Sequence, residues 1–290
     1  MAGLSDHAGV RLGRLTPGDV PAAARLSAGV GWNQDEADWA RLLAVNPEGG
    51  FAAWLGDELV GTATLVRHGD LLAWLGMVIV REDVRGRGVA GRLVEAALAG
   101  WSPPPGGAVG LDATELGAPV YLRRGFEAVA PIDRWVGVLR TLSGASPSVR
   151  PAGPGDQEAL ARLDAAATGV DRRRLLERLL AEPGTAVLVA EAGGRAVAYA
   201  ALRGGRERLH VGPVVAADEA ACEAVLDAVA ERAAGREAFV DAVRAPWRAQ
   251  VLERRGLSVA RSLQRMLRPA LPALAMTGER VLAAAGFEWG

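Results

Sequence analysis

An internal repeat constrains the fold of this 290-residue chain more than any other feature of its sequence. Residues 17–26, PGDVPAAARL, agree with residues 154–163, PGDQEALARL, at seven of ten positions. Residues 121–135, YLRRGFEAVAPIDRW, align in the same way with residues 252–266, LERRGLSVARSLQRM. Because both blocks occur in the same order in each half, the sequence predicts two copies of one fold.

The repeat also indicates where the chain divides. In the second pair of matched blocks, Arg134 aligns with Arg265, so the first copy extends at least to this arginine. Residues 141–148, TLSGASPS, contain the small and turn-forming side chains that suit a linker. We therefore expect one domain at residues 1–140 and a second at residues 149–290.

The predicted elements of the first half follow the order of a mixed α/β domain. Two helices come first, one after Asp19 and one around Trp39. They precede strands near 51–56, 59–66 and 71–80, a helix near 88–100, a strand near 108–113, a helix ending at Arg124 and paired strands near 126–139. This order indicates an α/β fold with a mixed, mostly antiparallel sheet flanked by helices, and the repeat extends that fold to the second half.

The composition excludes several classes of function. The 33 basic residues, all of them arginine, nearly balance 34 acidic residues and are spread along the chain, so we expect no nucleic-acid partner. The single cysteine, Cys222, cannot form a disulfide framework or a thiol-rich metal site, and we expect no metal. Because no signal-peptide core and no apolar run of ~20 residues occurs, the sequence predicts a cytoplasmic protein that does not enter membranes.

A loop rich in glycine and arginine follows the apolar run LLAWLGMVIV at residues 71–80. A strand that leads through such a loop into a helix exposes backbone N–H groups at the helix N-terminus, where a phosphate can bind. The glycines allow close approach of an anion, and the arginines add positive charge: Gly86, Gly88, Gly91, Arg85, Arg87 and Arg92. The spacing alone is also compatible with an ordinary solvated turn.

A wider pattern resembles the GNAT superfamily of N-acetyltransferases. Arg85, Gly88 and Ala90 fit the RxxGxG/A signature with which that family holds coenzyme A. Tyr121, in YLRRGF, stands 36 residues after Arg85 and matches the family's second motif, a tyrosine four residues before Gly-Phe. The resemblance covers most of residues 10–140 and, through the repeat, implies two tandem GNAT-like domains.

The resemblance implies acetyl-CoA as the cosubstrate and a set of residues that bind it. In the family, the backbone of the strand before the loop binds the pantetheine arm, and one of its amides polarises the acetyl carbonyl; the matching residues are Val78, Ile79 and Val80. The loop that holds the pyrophosphate then consists of Arg85, Gly86, Arg87, Gly88, Val89, Ala90 and Gly91.

The resemblance also implies catalytic residues for direct attack of an amine on the thioester. Tyr121 matches the general acid. A thiol has a pKa of ~8.5 and a phenol a pKa of ~10, so proton transfer from the tyrosine to the departing thiolate is only mildly uphill. The other interpretation is that Tyr121 packs a helix end. Asp112 matches the acidic residue that some members use as a base, but its pKa of ~4 favours a role in orienting water, with Glu115 as the other candidate. Asp112 could equally cap the following turn.

The second copy lacks the features that would bind and use coenzyme A. The sequence ADEAA replaces the glycine loop, which brings Asp218 close to the expected phosphate position, and Leu252 replaces Tyr121. We therefore expect a degenerate, non-catalytic domain. It could pack against the first domain, shape the acceptor cleft or mediate a homodimer.

The apolar tail RVLAAAGFEWG, residues 280–290, has two interpretations. It is either a last strand that covers the second sheet or a segment whose Glu288, Trp289 and Gly290 carboxylate bind the acceptor amine near the first site. The sequence as a whole predicts an N-acetyltransferase with one active site and a small-molecule or peptide amine as acceptor. The alternative is an acyl-CoA sensor without turnover.

Overall fold

The computed structural model describes residues 9–142 and 148–290, and its two halves contain the same elements in the same order. The first half consists of β1 Val10–Arg14, α1 Val20–Gly29, α2 Glu36–Val45, β2 Gly50–Leu55, β3 Glu58–His68, β4 Leu72–Val80, α3 Val89–Ala99, β5 Ala108–Ala113, α4 Ala118–Leu122 and β6 Glu127–Val138. Most of the predicted linker, residues 143–147, lies outside the described residues, so the domain boundaries stay predictions.

The second half repeats this order and then adds a short strand. It consists of β7 Ser148–Pro151, α5 Gln157–Thr168, α6 Arg173–Ala181, β8 Ala186–Ala192, β9 Arg195–Arg203, β10 Leu209–Ala216, α7 Glu219–Ala233, β11 Glu237–Val243, α8 Pro246–Arg254, β12 Leu257–Arg268 and β13 Val281–Ala283. The predicted fold class, a mixed and mostly antiparallel sheet flanked by helices in two copies, is confirmed. No helix of the described residues has the length and apolar character needed to cross a membrane.

Local chemistry explains where the helices begin, as α2 shows. The Asp35 side chain accepts hydrogen bonds from the backbone N–H groups of Ala37 and Asp38, at 2.9 and 3.1 Å, and so caps the helix. Trp39 is completely buried and donates from its Nε1 to the Ser27 hydroxyl at 3.0 Å. Asp35 therefore caps α2, Asp38 forms an ion pair with Arg41, and Trp39 belongs to the core.

The two halves share one 13-stranded sheet, and at its centre they exchange their last strands. The strand order is β1-β2-β3-β4-β5-β12-β6-β11-β10-β9-β8-β7, with β13 paired to β10. Thus β12 of the second half lies beside β5 of the first, and β6 of the first half lies beside β11 of the second. The prediction of paired strands near 126–139 is wrong, because β6 is one strand of 12 residues whose partners come from the other half.

Three large apolar clusters hold helices against the sheet. One lies under α3 and α4 of the first half, and a second lies under α7 and α8 of the second. The third is shared, because α1 and α2 of the first half meet α5 and α6 of the second on the opposite face of the sheet. The exchanged strands and this shared cluster bury the halves against each other.

Candidate active site

Strands β4 and β5 separate part-way along their length and leave a cleft. They pair in parallel only from Leu72 to Trp74 of β4 and from Ala108 to Gly110 of β5. Beyond these residues neither strand has another partner on the edges that face each other within the described residues, because β12 pairs with the opposite edge of β5 and β3 with the opposite edge of β4. Val78, Ile79 and Val80 therefore lie where the backbone of β4 is open to a ligand that pairs like a strand.

A β-bulge marks the start of this open stretch. Between the pairs Thr64–Gly76 and Thr62–Ile79, β4 has two residues where β3 has one. Met77 adopts a φ of 48°, which is uncommon for a residue with a side chain, and its carbonyl accepts a hydrogen bond of 2.8 Å from the Thr62 hydroxyl. Such bulges take backbone groups out of the ladder and re-aim them.

The glycine loop has the conformation that its sequence predicts. Gly86 and Gly88 have φ values of 77° and 74°, and a Cβ at either position would meet nothing within 4 Å. Glycine is therefore needed there for the backbone angle, and the space beside it is open. Gly91 differs, because a Cβ there would lie 2.5 Å from Nη2 of Arg124.

The N-terminus of α3 faces this open loop without an acidic neighbour in its first turn. The first intrahelical bond runs from the Arg92 N–H to the Gly88 carbonyl, so the preceding amides have no helical acceptor. Arg85 and Arg87 donate one bond each, to the carbonyls of Val80 and Asp83, which leaves most N–H groups of these exposed guanidiniums to solvent. The predicted loop residues thus lie together at a positive helix end, where an anion is stabilised.

Tyr121 lies on the same face of the sheet as α3. Its ring is only 9% exposed, packs edge-on against Phe126 at 6.0 Å and belongs to the apolar cluster that contains Leu75 of β4 and Leu111 of β5. Burial raises the pKa of the Tyr121 phenol well above its usual value, which keeps the hydroxyl protonated. The structure thus places a protonated phenol in the apolar cluster that includes residues of both strands of the cleft.

Asp112 lies on β5, but its side chain is fully buried in an ion pair. Both of its carboxylate oxygens accept hydrogen bonds from Arg265 of β12, each at 2.9 Å. The repeat produces a second copy of this pair, in which Arg134 of β6 donates to both oxygens of Asp241 at 2.7 Å. This symmetry favours a structural role, in which each pair ties an exchanged strand to the other half.

The family follows from one match in each half. Residues 24–116 match the Acetyltransferase (GNAT) family, and residues 160–276 match an Acetyltransferase (GNAT) domain. This chain is a tandem GNAT protein. The predicted resemblance is therefore confirmed, and GNAT domains generally bind acetyl-CoA or another acyl-CoA.

Individual relatives agree with this assignment. The tandem GNAT protein is 24% identical over 212 residues to the holothin acyltransferase of Pseudoalteromonas sp. (strain SANK 73390), covering 73% of this chain and 71% of that protein. A candidate acetyltransferase from Pyrococcus horikoshii has the same fold, with a TM-score of 0.83, 19% identity and coverage of 99% and 98% of the two chains. A GCN5-related N-acetyltransferase from Sphaerobacter thermophilus has a TM-score of 0.61 and 18% identity, and the match covers 90% of this chain and 95% of that chain. The family and the curated relative support acyl transfer as the activity.

In the second GNAT copy, the chain itself fills the equivalent cleft. Strands β10 and β11 pair in parallel only at Leu209 and His210 and then separate, as β4 and β5 do. Here β13 enters the gap, pairs with Val214 and Val215 of β10, and Ala284 donates to the Asp241 carbonyl at 2.8 Å. The stretch of β10 that corresponds to the open stretch of β4 is thus already hydrogen-bonded to protein.

In the second copy, a side chain of the protein also caps the N-terminus of the helix that follows the cleft, α7. Asp218 is the N-cap of α7, and its carboxylate accepts a hydrogen bond of 2.8 Å from the Ala221 N–H. The Asp218 carboxylate thus lies at the helix N-terminus of the second copy, whereas the N-cap of α3 in the first copy is Gly88, which has no side chain. Among the described residues of both GNAT copies, no cluster of His, Cys, Asp and Glu could hold a metal ion.

The tail of the GNAT chain, whose position sequence analysis left undecided, contacts both halves. After β13 pairs with β10, residues 286–290 reach β4 of the first copy. Trp74 Nε1 donates to the Phe287 carbonyl at 3.0 Å, and the His68 ring bonds the Trp289 carbonyl at 2.7 Å. The interpretation as a last strand describes β13, and residues 286–290 lie against β4 of the first half, where their part in binding the acceptor stays a prediction.

Proposed function

We propose that this protein is an acetyl-CoA-dependent N-acetyltransferase with one active site per chain, located in the first half. The observation that carries the proposal is the difference between two clefts that the repeat makes equivalent. The first has an unpaired strand edge and an open glycine loop at a helix N-terminus. The second has β13 and the Asp218 carboxylate in the same two places.

The residues of the first cleft suit both ends of acetyl-CoA, which would supply the acyl group as an activated thioester. The backbone at Val78, Ile79 and Val80 offers strand-like hydrogen bonds to the amides of a pantetheine arm. The amides from Gly86 to Gly91, together with Arg85 and Arg87, offer donors and positive charge to a pyrophosphate. Space beside Gly86 and Gly88 is available for this contact.

Two groups of the chain would assist the transfer itself. The amide of Val78 follows the strained Met77 and can donate to the carbonyl oxygen on which negative charge develops. The Tyr121 hydroxyl holds a proton that the departing thiolate needs. Burial raises the pKa of this phenol, which keeps it protonated but makes transfer of the proton to the thiolate more uphill than it would be from an exposed tyrosine. Asp112 receives no part in proton transfer, because both of its oxygens are bound to Arg265.

The acceptor that we propose is an amine of a small molecule or a peptide. The curated relative is named for holothin, so holothin belongs in a test panel with a polyamine, an aminoglycoside, an amino acid amide and a dipeptide. Release of coenzyme A from acetyl-CoA in the presence of these amines would demonstrate turnover. A protein that binds acetyl-CoA but transfers its acetyl group to none of them would contradict the proposal and favour a sensor.

Replacing Tyr121 with phenylalanine is expected to lower kcat by about 100-fold, because it removes the proton donor and leaves the packing against Phe126 intact. The affinity for acetyl-CoA should change little, since the hydroxyl is not part of the loop that binds phosphate. Steady-state kinetics and calorimetric binding of acetyl-CoA measure the two quantities separately.

The second tyrosine of the chain provides a matched control. Tyr199 lies in the second half, and its hydroxyl donates to the buried Asp164 carboxylate. Tyr199→Phe should lower the thermal stability but leave kcat within about twofold. Equal losses of kcat in the two variants would show that Tyr121 acts through stability and would remove it from the mechanism.

A further inference from the structure

A buried carboxylate lies against β4 beside the bulge. A Cβ at Gly76 would lie 2.8 Å from Cα and 3.1 Å from the carbonyl oxygen of Glu288, so glycine is needed there for the tail to reach the strand. Gly76 directly precedes Met77, the residue with the strained φ. The Glu288 residue is 2% exposed.

The tail approaches β4 from the face opposite α3. Ala73 and Leu75 of β4 belong to the cluster under α3, whereas Met77, Ile79 and Trp289 belong to the cluster shared by α1, α2, α5 and α6. The glycine loop and Tyr121 occupy the α3 face. An acceptor that attacks a thioester held from that side has the opposite face of the cleft available, which is the face that carries Glu288.

Glu288 forms no direct ion pair. Among the residues that the structure describes, no cationic group lies within 4.0 Å of its carboxylate, and Oε2 accepts one hydrogen bond of 3.1 Å from Gln34 Nε2. The charge of Arg203 acts on Glu288 from a greater distance, and this guanidinium approaches Asp38 at 3.7 Å. A buried carboxylate without a direct ion pair is costly, and such groups cluster at sites that bind a charged ligand.

Polar atoms beside Glu288 also lack partners. Within the described part of the chain, Gln34 Oε1 and His210 Nε2 are buried and form no hydrogen bond, and the same is true of Nε and Nη1 of Arg203, whose charge acts on Glu288. The His210 ring and the Glu288 carboxylate both lie next to Gly286. A Cβ built on Gly286 would be 2.7 Å from Glu288 Oε1 and 2.9 Å from His210 Cε1, so the two side chains are neighbours. Groups of this kind are normally satisfied by protein, water or ligand. An ammonium group would satisfy Glu288 and Gln34 Oε1 together.

We infer that Glu288 binds the cationic nitrogen of the acceptor amine, so that the second half completes the active site of the first. The bound ammonium loses one proton to water before it attacks the thioester as a neutral amine. The inference rests on the proposed function and assigns the acceptor to the class of amines that are cations at neutral pH. Burial raises the pKa of the Glu288 carboxyl, and a bound cation would oppose that effect. The degenerate copy is then required for recognition of the acceptor as well as for folding.

The test compares Glu288→Gln with wild type at saturating acetyl-CoA. The probes are the panel amine with the highest wild-type kcat/KM and aniline, which is uncharged at neutral pH. Removing the charge is expected to raise KM for the cationic amine by about 10- to 100-fold, with aniline and the Kd of acetyl-CoA changed less than about twofold. The control is Glu279→Gln, which removes the same charge from an exposed position before β13 and should change neither KM.

Equal effects on both amines, or no effect on either, would overturn the inference, as would a wild type that acetylates only aniline. If Glu288→Gln is too unstable to assay, Gln34→Leu offers a second test, because it removes the unpaired Oε1 and the one side-chain hydrogen bond to Glu288 but keeps the chain of the tail unchanged, and it should also raise KM for the cationic amine more than for aniline. Failure of the proposed function is distinguishable, because a wild type without that function would not acetylate any amine.

Discussion

Replacing Asp112 with asparagine is expected to lower the free energy of unfolding by about 3–5 kcal/mol, because it leaves Arg265 buried without its charge partner. The two side chains are 0% and 1% exposed, so water cannot compensate for the lost carboxylate. Equilibrium denaturation in urea measures the change. The control is Glu158→Gln, which breaks the exposed pair with Arg162 and should cost no more than about 0.5 kcal/mol.

A double-mutant cycle extends this experiment to the exchange of strands. Asp112 bonds Arg265 of the other half, whereas the arginine at the repeat-equivalent position of its own half, Arg134, bonds Asp241. We therefore expect a larger coupling free energy between Asp112 and Arg265 than between Asp112 and Arg134. The opposite order would show that each half keeps its own last strand and would contradict the sheet described above.

Replacing Gly88 with aspartate is expected to weaken binding of acetyl-CoA by at least about 100-fold. The substitution copies the second half, in which the Asp218 carboxylate occupies the N-terminus of α7. A carboxylate at the start of α3 would compete for the helix amides and repel a phosphate, and such an opposed charge costs several kcal/mol. Isothermal titration calorimetry with acetyl-CoA measures the loss.

Gly88→Asn separates charge from backbone strain in this experiment. Gly88 has a φ of 74°, an angle that asparagine and aspartate tolerate to a similar degree. The asparagine variant should therefore lose clearly less affinity than the aspartate variant. If both variants bind as tightly as wild type, the loop does not contact the phosphates, and the proposed position of the cosubstrate is wrong.

The repeat allowed much of the fold to be predicted, but it could not reveal which copies of the last strand pair together. β6 and β12 carry aligned arginines, Arg134 and Arg265, and each faces an aspartate at an equivalent position in β5 or β11. Exchanged and unexchanged pairings therefore satisfy the same local preferences. Only the packing of the complete chain distinguishes them, because β6 finds both of its partners in the other half.

The cofactor side of the candidate site was more predictable than the acceptor side. The conformation of Gly86 and Gly88 depends on a local glycine pattern, which is readable from neighbouring residues. Asp112 and Glu288 depend on partners far away in sequence, namely Arg265 and β4 at Gly76. The Arg134–Arg265 alignment was the one signal that could have indicated symmetric ion pairs.

The number of acetyl-CoA molecules bound per chain tests the central claim most directly. We expect calorimetric titration of the wild-type protein to give one site per chain, because β13 and Asp218 occupy the second cleft. The heat of binding should be absent in Gly88→Asp at the same concentrations. Two sites per chain would contradict the assignment of a single working cleft, and no binding by the wild type would contradict the acetyltransferase proposal itself.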